Sequence, residues 1–99
     1  MAEHAKVVRV AHLVTEGDSQ DQVESLASEI AGRARDVQGC FGAQVCRVEG
    51  NPNELVLISR WESEEALATA VASPSYRQAN SELEAIVAGP VRTENYISV

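Results

Sequence analysis

Four side chains in this 99-residue sequence have the chemistry to act on a bound molecule: Trp61, Tyr76, Arg77 and His12. Trp61 is the only tryptophan. Its ring can stack on a flat ligand and its N–H can bind a ligand oxygen. Tyr76 offers a phenol donor, and Arg77 a guanidinium able to stabilise an oxyanion. His12 sits mid-strand among apolar residues and is the one obvious interior base near neutral pH. Each has a structural reading beside the chemical one. Trp61 can anchor helix to sheet, Tyr76 falls at the spacing of a helical core residue, Arg77 can be a solvated helix residue, and His12 can be a packing or interface residue. His4, near the terminus, has no evident role. Asn95 and Tyr96 face either a neighbour or a pocket.

The chain has no nucleophile elbow, phosphate loop, paired carboxylates or metal-ligand spacing. Cys40 and Cys46 are too few and too irregularly placed for a disulfide framework or a zinc site, and read as reduced thiols. No metal, flavin or other cofactor is expected.

The elements that must position these side chains are legible from period and punctuation. Residues 6–15 (KVVRVAHLVT) are β-branched and apolar and end at the turn signal Glu16-Gly17-Asp18, giving a first strand. Ser19-Gln20-Asp21-Gln22 matches a capping box, with Asp18 and Asp21 near the helix start. Val23, Leu26, Ala27, Ile30, Ala31, Ala34 and Val37 then recur at helical spacing, up to Gly39. Residues 41–49 and 54–61 read as a hairpin turned at Gly50-Asn51-Pro52-Asn53. Ser63 caps a short helix with Glu64 and Glu65 in its first turn, and Ser73-Pro74 starts another that runs toward Gly89-Pro90. Residues 91–99 are the last strand.

The order β-α-β-β-α-β predicts a single α+β domain over residues 1–99, ferredoxin-like, with a four-stranded antiparallel sheet and its helices on one face. The first and third strands are apolar on both sides, whereas a strand with one wet face should alternate. A partner must cover the open face, and a second copy of the chain is the simplest, so a homodimer is expected. The formal charge of −7 repels phosphate backbones, so nucleic-acid binding and anionic membrane surfaces are not expected. The N-terminal residues lack the pattern of a signal peptide, and a cytoplasmic protein is expected.

The run Gly39-Cys40-Phe41-Gly42, then Asn51-Pro52-Asn53-Glu54, then residues 57–67 (LISRWESEEAL) and Ala72-Ser73-Pro74-Ser75-Tyr76-Arg77 resembles the antibiotic biosynthesis monooxygenase family of dimeric α+β barrels. The resemblance spans nearly the whole chain and implies a cofactor-independent monooxygenase that oxidises a small aromatic, hydroquinone or polyketide-type substrate with O2. It aligns Trp61 with the family's tryptophan and implies one cavity shared by Trp61, Tyr76, Arg77 and His12. The alternatives are a non-catalytic dimeric barrel that binds a small ligand, and a non-oxidative cyclase or isomerase. Haem-degrading relatives resemble one another in an Asn on the first strand and a Trp and a His on the second helical region. Here Val10, Ala70 and Asn80 align with those places, and none matches.

Overall fold

The computed structural model describes residues 4–99, so Met1–Glu3 of the expected domain lie outside the described residues. The chain runs β1 (Val7–Val14), α1 (Gln20–Arg35), β2 (Cys40–Val48), β3 (Asn51–Trp61), α2 (Glu64–Ala72), α3 (Pro74–Ile86) and β4 (Arg92–Ile97). The four strands form one antiparallel sheet in the order β2-β3-β1-β4, the ferredoxin-like arrangement expected.

Alternation along the strands sorts every side chain to one of two faces. Val7, Ala11 and Leu13 of β1 and Leu55, Leu57 and Trp61 of β3 point at the helices and are buried. They meet Val23, Ala27, Ile30 and Ala34 of α1, Leu67 and Ala70 of α2, and Tyr76, Ala79 and Leu83 of α3. The caps read from sequence hold at both later helices. The Ser63 hydroxyl accepts from the Ala66 N–H at 3.1 Å, and Ser73 accepts from the Tyr76 N–H at 3.4 Å with Pro74 opening α3.

Two local expectations are corrected. Ser19 does not cap α1 forward; its hydroxyl turns back, donating to the Glu16 carbonyl at 2.7 Å and accepting from the Glu16 N–H at 3.2 Å. This closes a single 3-10 turn over Gly17–Ser19 from which α1 continues. The hairpin turn is also tighter than residues 50–53. Asn51 already pairs with Val48, leaving Glu49 and a left-handed Gly50 (φ 81°) to reverse the chain. Pro52 is accommodated in the strand beside a register shift at Arg47/Val48.

Gly39, just before β2, has φ 91°. A Cβ there would stand 2.7 Å from the Cβ of Ala66 on α2. The glycine therefore serves both backbone conformation and helix–strand approach. Gly39→Ala is expected to cost about 1–3 kcal/mol, measured as a lower urea midpoint at unchanged m-value. An unchanged midpoint would show that neither constraint holds.

The other sheet face carries Val8, Val10, His12 and Val14 of β1 with Val56 and Ile58 of β3. The helices lie on the opposite side, and Val14 and Tyr96 are 44% and 52% exposed. All six residues of β4 are exposed. Among the described residues, no helix is long and apolar enough to cross a membrane.

Candidate functional site

A cavity of about 130 Å³ lies between the helix-facing side of the sheet and α3. Strand alternation brings Arg9 and Ala11 of β1, Leu57 and Ser59 of β3 and Thr93 of β4 to its floor. Helical spacing i, i+4, i+7 and i+8 lines the α3 wall with Tyr76, Asn80, Leu83 and Glu84. Val91, in the connection to β4, completes the lining.

Cross-strand register gives this floor a layered composition. Trp61, Val7 and Ile97 form one row, and Leu57, Ala11 and Thr93 form another. Between them runs the polar row Ser59, Arg9 and Asn95. Arg9 therefore stands as a half-buried cation in the middle of a largely apolar sheet face. A second, more open depression, lined by Val7, Leu67, Val71 and Asn95 among others, touches Arg9 from its other side.

Tyr76 is 6% exposed. Burial pushes its phenol above the ordinary value of 10.0, although the neighbouring Arg9, through its charge and through hydrogen bonding, and to a smaller extent Asn80 pull the other way. At neutral pH Tyr76 is thus a hydrogen-bond donor beside a cation. Among the described residues no group of three or more His, Cys, Asp or Glu side chains is arranged to hold a metal ion.

The four residues singled out from sequence are not all at this cavity. Tyr76 lines it. Trp61 is on the same side of the sheet but is fully buried behind the lining, and its N–H donates to Ser59 Oγ at 2.8 Å. Ser59 itself faces the cavity, so Trp61 reaches the site through one hydroxyl. Arg77 is exposed and does not line the cavity, because it follows Tyr76 by one residue and points about 100° away around the helix.

His12 lies on the opposite sheet face, which corrects its expected place in a shared cavity. The odd-numbered residues of β1 face the helices, and the even-numbered ones do not. There His12 Nε2 is 2.9 Å from Glu94 Oε1 and its Nδ1 is 3.9 Å from Glu54 Oε1. Hydrogen bonds from His12 and the Tyr96 hydroxyl hold the Glu94 carboxyl below its usual pKa. The same parity places Val10 on the open face, so the first-strand residues at the cavity are Arg9 and Ala11.

Sequence reasoning missed Arg9, Ser59, Glu84 and Thr93, and treated Asn80 only as a mismatch. A charged residue interrupting the apolar run of β1 was the signal for Arg9. The helical spacing from Tyr76 was the signal for Asn80 and Glu84.

A four-stranded antiparallel sheet, helices on one side and a cavity beneath the last helix define a ferredoxin-like α+β domain with a sheet-floored pocket. The family model for antibiotic biosynthesis monooxygenase matches residues 6–82, and the chain belongs to that family. Solved structures agree on the fold. Rv0793 from Mycobacterium tuberculosis superposes with a TM-score of 0.85 at 22% identity, over 94% of each chain. SnoaB from Streptomyces nogalater, described as a cofactor-independent oxygenase, gives 0.83 at 20% identity, over 93% of this chain and 91% of its own. A conserved protein from Methanosarcina mazei gives 0.86 at 16% identity, over 96% and 95%. No curated protein matches the chain by sequence.

Proposed function

We propose that the chain is a cofactor-independent monooxygenase, working as a homodimer, that oxidises a small aromatic or hydroquinone-type substrate with O2. The observation that carries this reading is the pairing of a neutral, buried phenol with a cation in one partly apolar cavity. An apolar cavity of ~150 Å³ takes up benzene, so the volume of about 130 Å³ suits a single aromatic ring, with larger substituents leaving through the mouth.

The reaction then asks little of the protein. The Arg9 charge favours the ionised form of a bound phenol or enol, and Glu84 on the α3 wall is placed to take its proton. The electron-rich carbanion form gives its electrons to O2 and forms a carbon–oxygen bond. Tyr76 donates to the developing peroxide oxygen, and the O–O bond then breaks. One oxygen atom stays in the product as a carbonyl, and the other leaves as water with two hydrogens from the substrate. The substrate supplies all the electrons, so the balance needs no further reductant. Trp61 supports the floor from behind by fixing Ser59.

The test is oxygen uptake with a panel of hydroquinones and anthrone-type phenols. Tyr76→Phe is expected to lower turnover by roughly 10² to 10³, the effect of removing one donor to an anionic transition state, with an unchanged thermal melt. Uptake no faster than the uncatalysed background would sink the oxygenase reading, and unaltered turnover in Tyr76→Phe would remove Tyr76 from it. One observation favours a non-oxidative binder or cyclase instead: the imidazole of His12 lies outside the cavity. That reading predicts saturable binding of the same panel with no oxygen consumed.

A further inference from the structure

The arginines of this chain are mostly employed. Arg33 and Arg47 donate to Glu29 and Glu24, and Arg35 and Arg60 donate to the carbonyls of Ala43 and Phe41. Arg9 differs from all four. It is half-buried, it projects from the polar row of an otherwise apolar floor, its side-chain neighbour is the neutral Tyr76 phenol, and among the described residues no carboxylate forms a salt bridge with it. Its cross-strand neighbours are the neutral Ser59 and Asn95.

Withdrawing a guanidinium from water without a counter-charge is costly, and filling the cavity with a neutral ring would increase that cost. A planar, five-donor fork is best satisfied by two oxygens of one anionic group, the geometry of a carboxylate. A phenol, ionised or not, presents a single oxygen, which leaves half the fork unmatched. We propose that Arg9 is the anion anchor of this cavity and that the site takes aromatic acids, the carboxylate on Arg9 beside Tyr76 and the ring extending along α3 toward Leu83, over Ala11 and Leu57. This rests on the cavity being the substrate site of the proposed oxygenase, and it narrows the substrate to a carboxylate-bearing aromatic. Two carboxylates line the depressions on either side of Arg9, Glu84 on the cavity wall and Glu64 on the other side, and both are exposed to water and therefore screened. Selection is local, since a chain with net charge −7 repels anions at long range.

Benzoate and benzamide have nearly the same shape and differ in charge, and neither reacts with oxygen, so they test the anchor apart from the chemistry. Calorimetric titration at neutral pH and low salt should show benzoate binding roughly 10- to 100-fold more tightly, as charge-assisted hydrogen bonds allow. Arg9→Gln should erase that preference, weakening benzoate far more than benzamide, while Arg9→Lys should keep a reduced preference. Equal binding of the two probes, no binding of either, or a benzoate preference that survives Arg9→Gln would each overturn the proposal. Should Arg9→Gln fail to melt cooperatively, the wild-type ratio and its weakening in Arg9→Lys still decide it. A benzoate preference without oxygen uptake on any phenolic substrate would remove the oxygenase reading and leave the anchor standing.

Discussion

Trp61→Ala is expected to cost about 3–5 kcal/mol of folding stability. The ring is fully buried at the end of β3, between the sheet and the helices. Truncation leaves a cavity and also strips Ser59 of the 2.8 Å bond from the indole N–H. In a domain this small such a loss is a large share of the total, since whole domains hold only about 5–15 kcal/mol. Urea or thermal unfolding should show it directly. Trp61→Phe separates packing from orientation, because it keeps most of the volume and removes the donor. It should unfold only slightly earlier and lower turnover through a misplaced Ser59. A midpoint for Trp61→Ala close to the wild type would mean that the ring is not a core element.

Val10→Asp should convert a dimer into monomers. Val10 and Ile58 are direct cross-strand partners at the middle of the open sheet face, with Val8 and Val56 beside them. If a second copy covers that face, the interface should be large and apolar, above roughly 2,000 Å² in total. A carboxylate there is buried without a partner, at about 3–5 kcal/mol for each copy. Two-fold symmetry counts it twice, which weakens dimerisation by more than about 10⁴-fold. The fold of each protomer should persist, because the core is built from Val7, Ala11 and Leu13 on the other side of β1. Sedimentation velocity at micromolar concentration checks both halves. A wild-type monomer, or a variant that still dimerises, would refute the proposed assembly.

What could be read from the sequence depended on whether the determining chemistry is local. The Ser63 and Ser73-Pro74 caps depend on residues within one helical turn, and both were legible. The α1 face was legible because five of its apolar positions are buried at helical period. The hairpin turn was placed late because Asn51, Pro52 and Asn53 are turn-forming types, yet pairing of Asn51 with β2 and the bond from the Thr15 N–H, just past β1, to the Asn53 carbonyl draw them into β3. Site residues on β1 were hidden for a different reason. Both faces of that strand are apolar, so its composition could not say whether odd or even positions meet the helices. Only packing chose the parity, and with it Arg9 was taken into the cavity and His12 placed outside. Tyr76 sits on a helix with one clear face, and its side chain could be placed without that information.

The exposure of β4 has a consequence for how the cavity exchanges its contents. This strand pairs with β1 alone, and none of its six residues is buried within the protomer. Peeling it away uncovers little apolar area, so its opening free energy lies well below that of global unfolding. Yet Thr93 forms one edge of the cavity floor, and Val91 just before the strand completes its lining. The floor beside Leu57 and Ala11 is therefore completed by a segment with little burial of its own within the protomer, and a bound ring touching Thr93 and Arg9 together would act as a latch between β4 and β1. With such a ligand, occupancy and the order of the last strand would be a single linked equilibrium, each raising the population of the other.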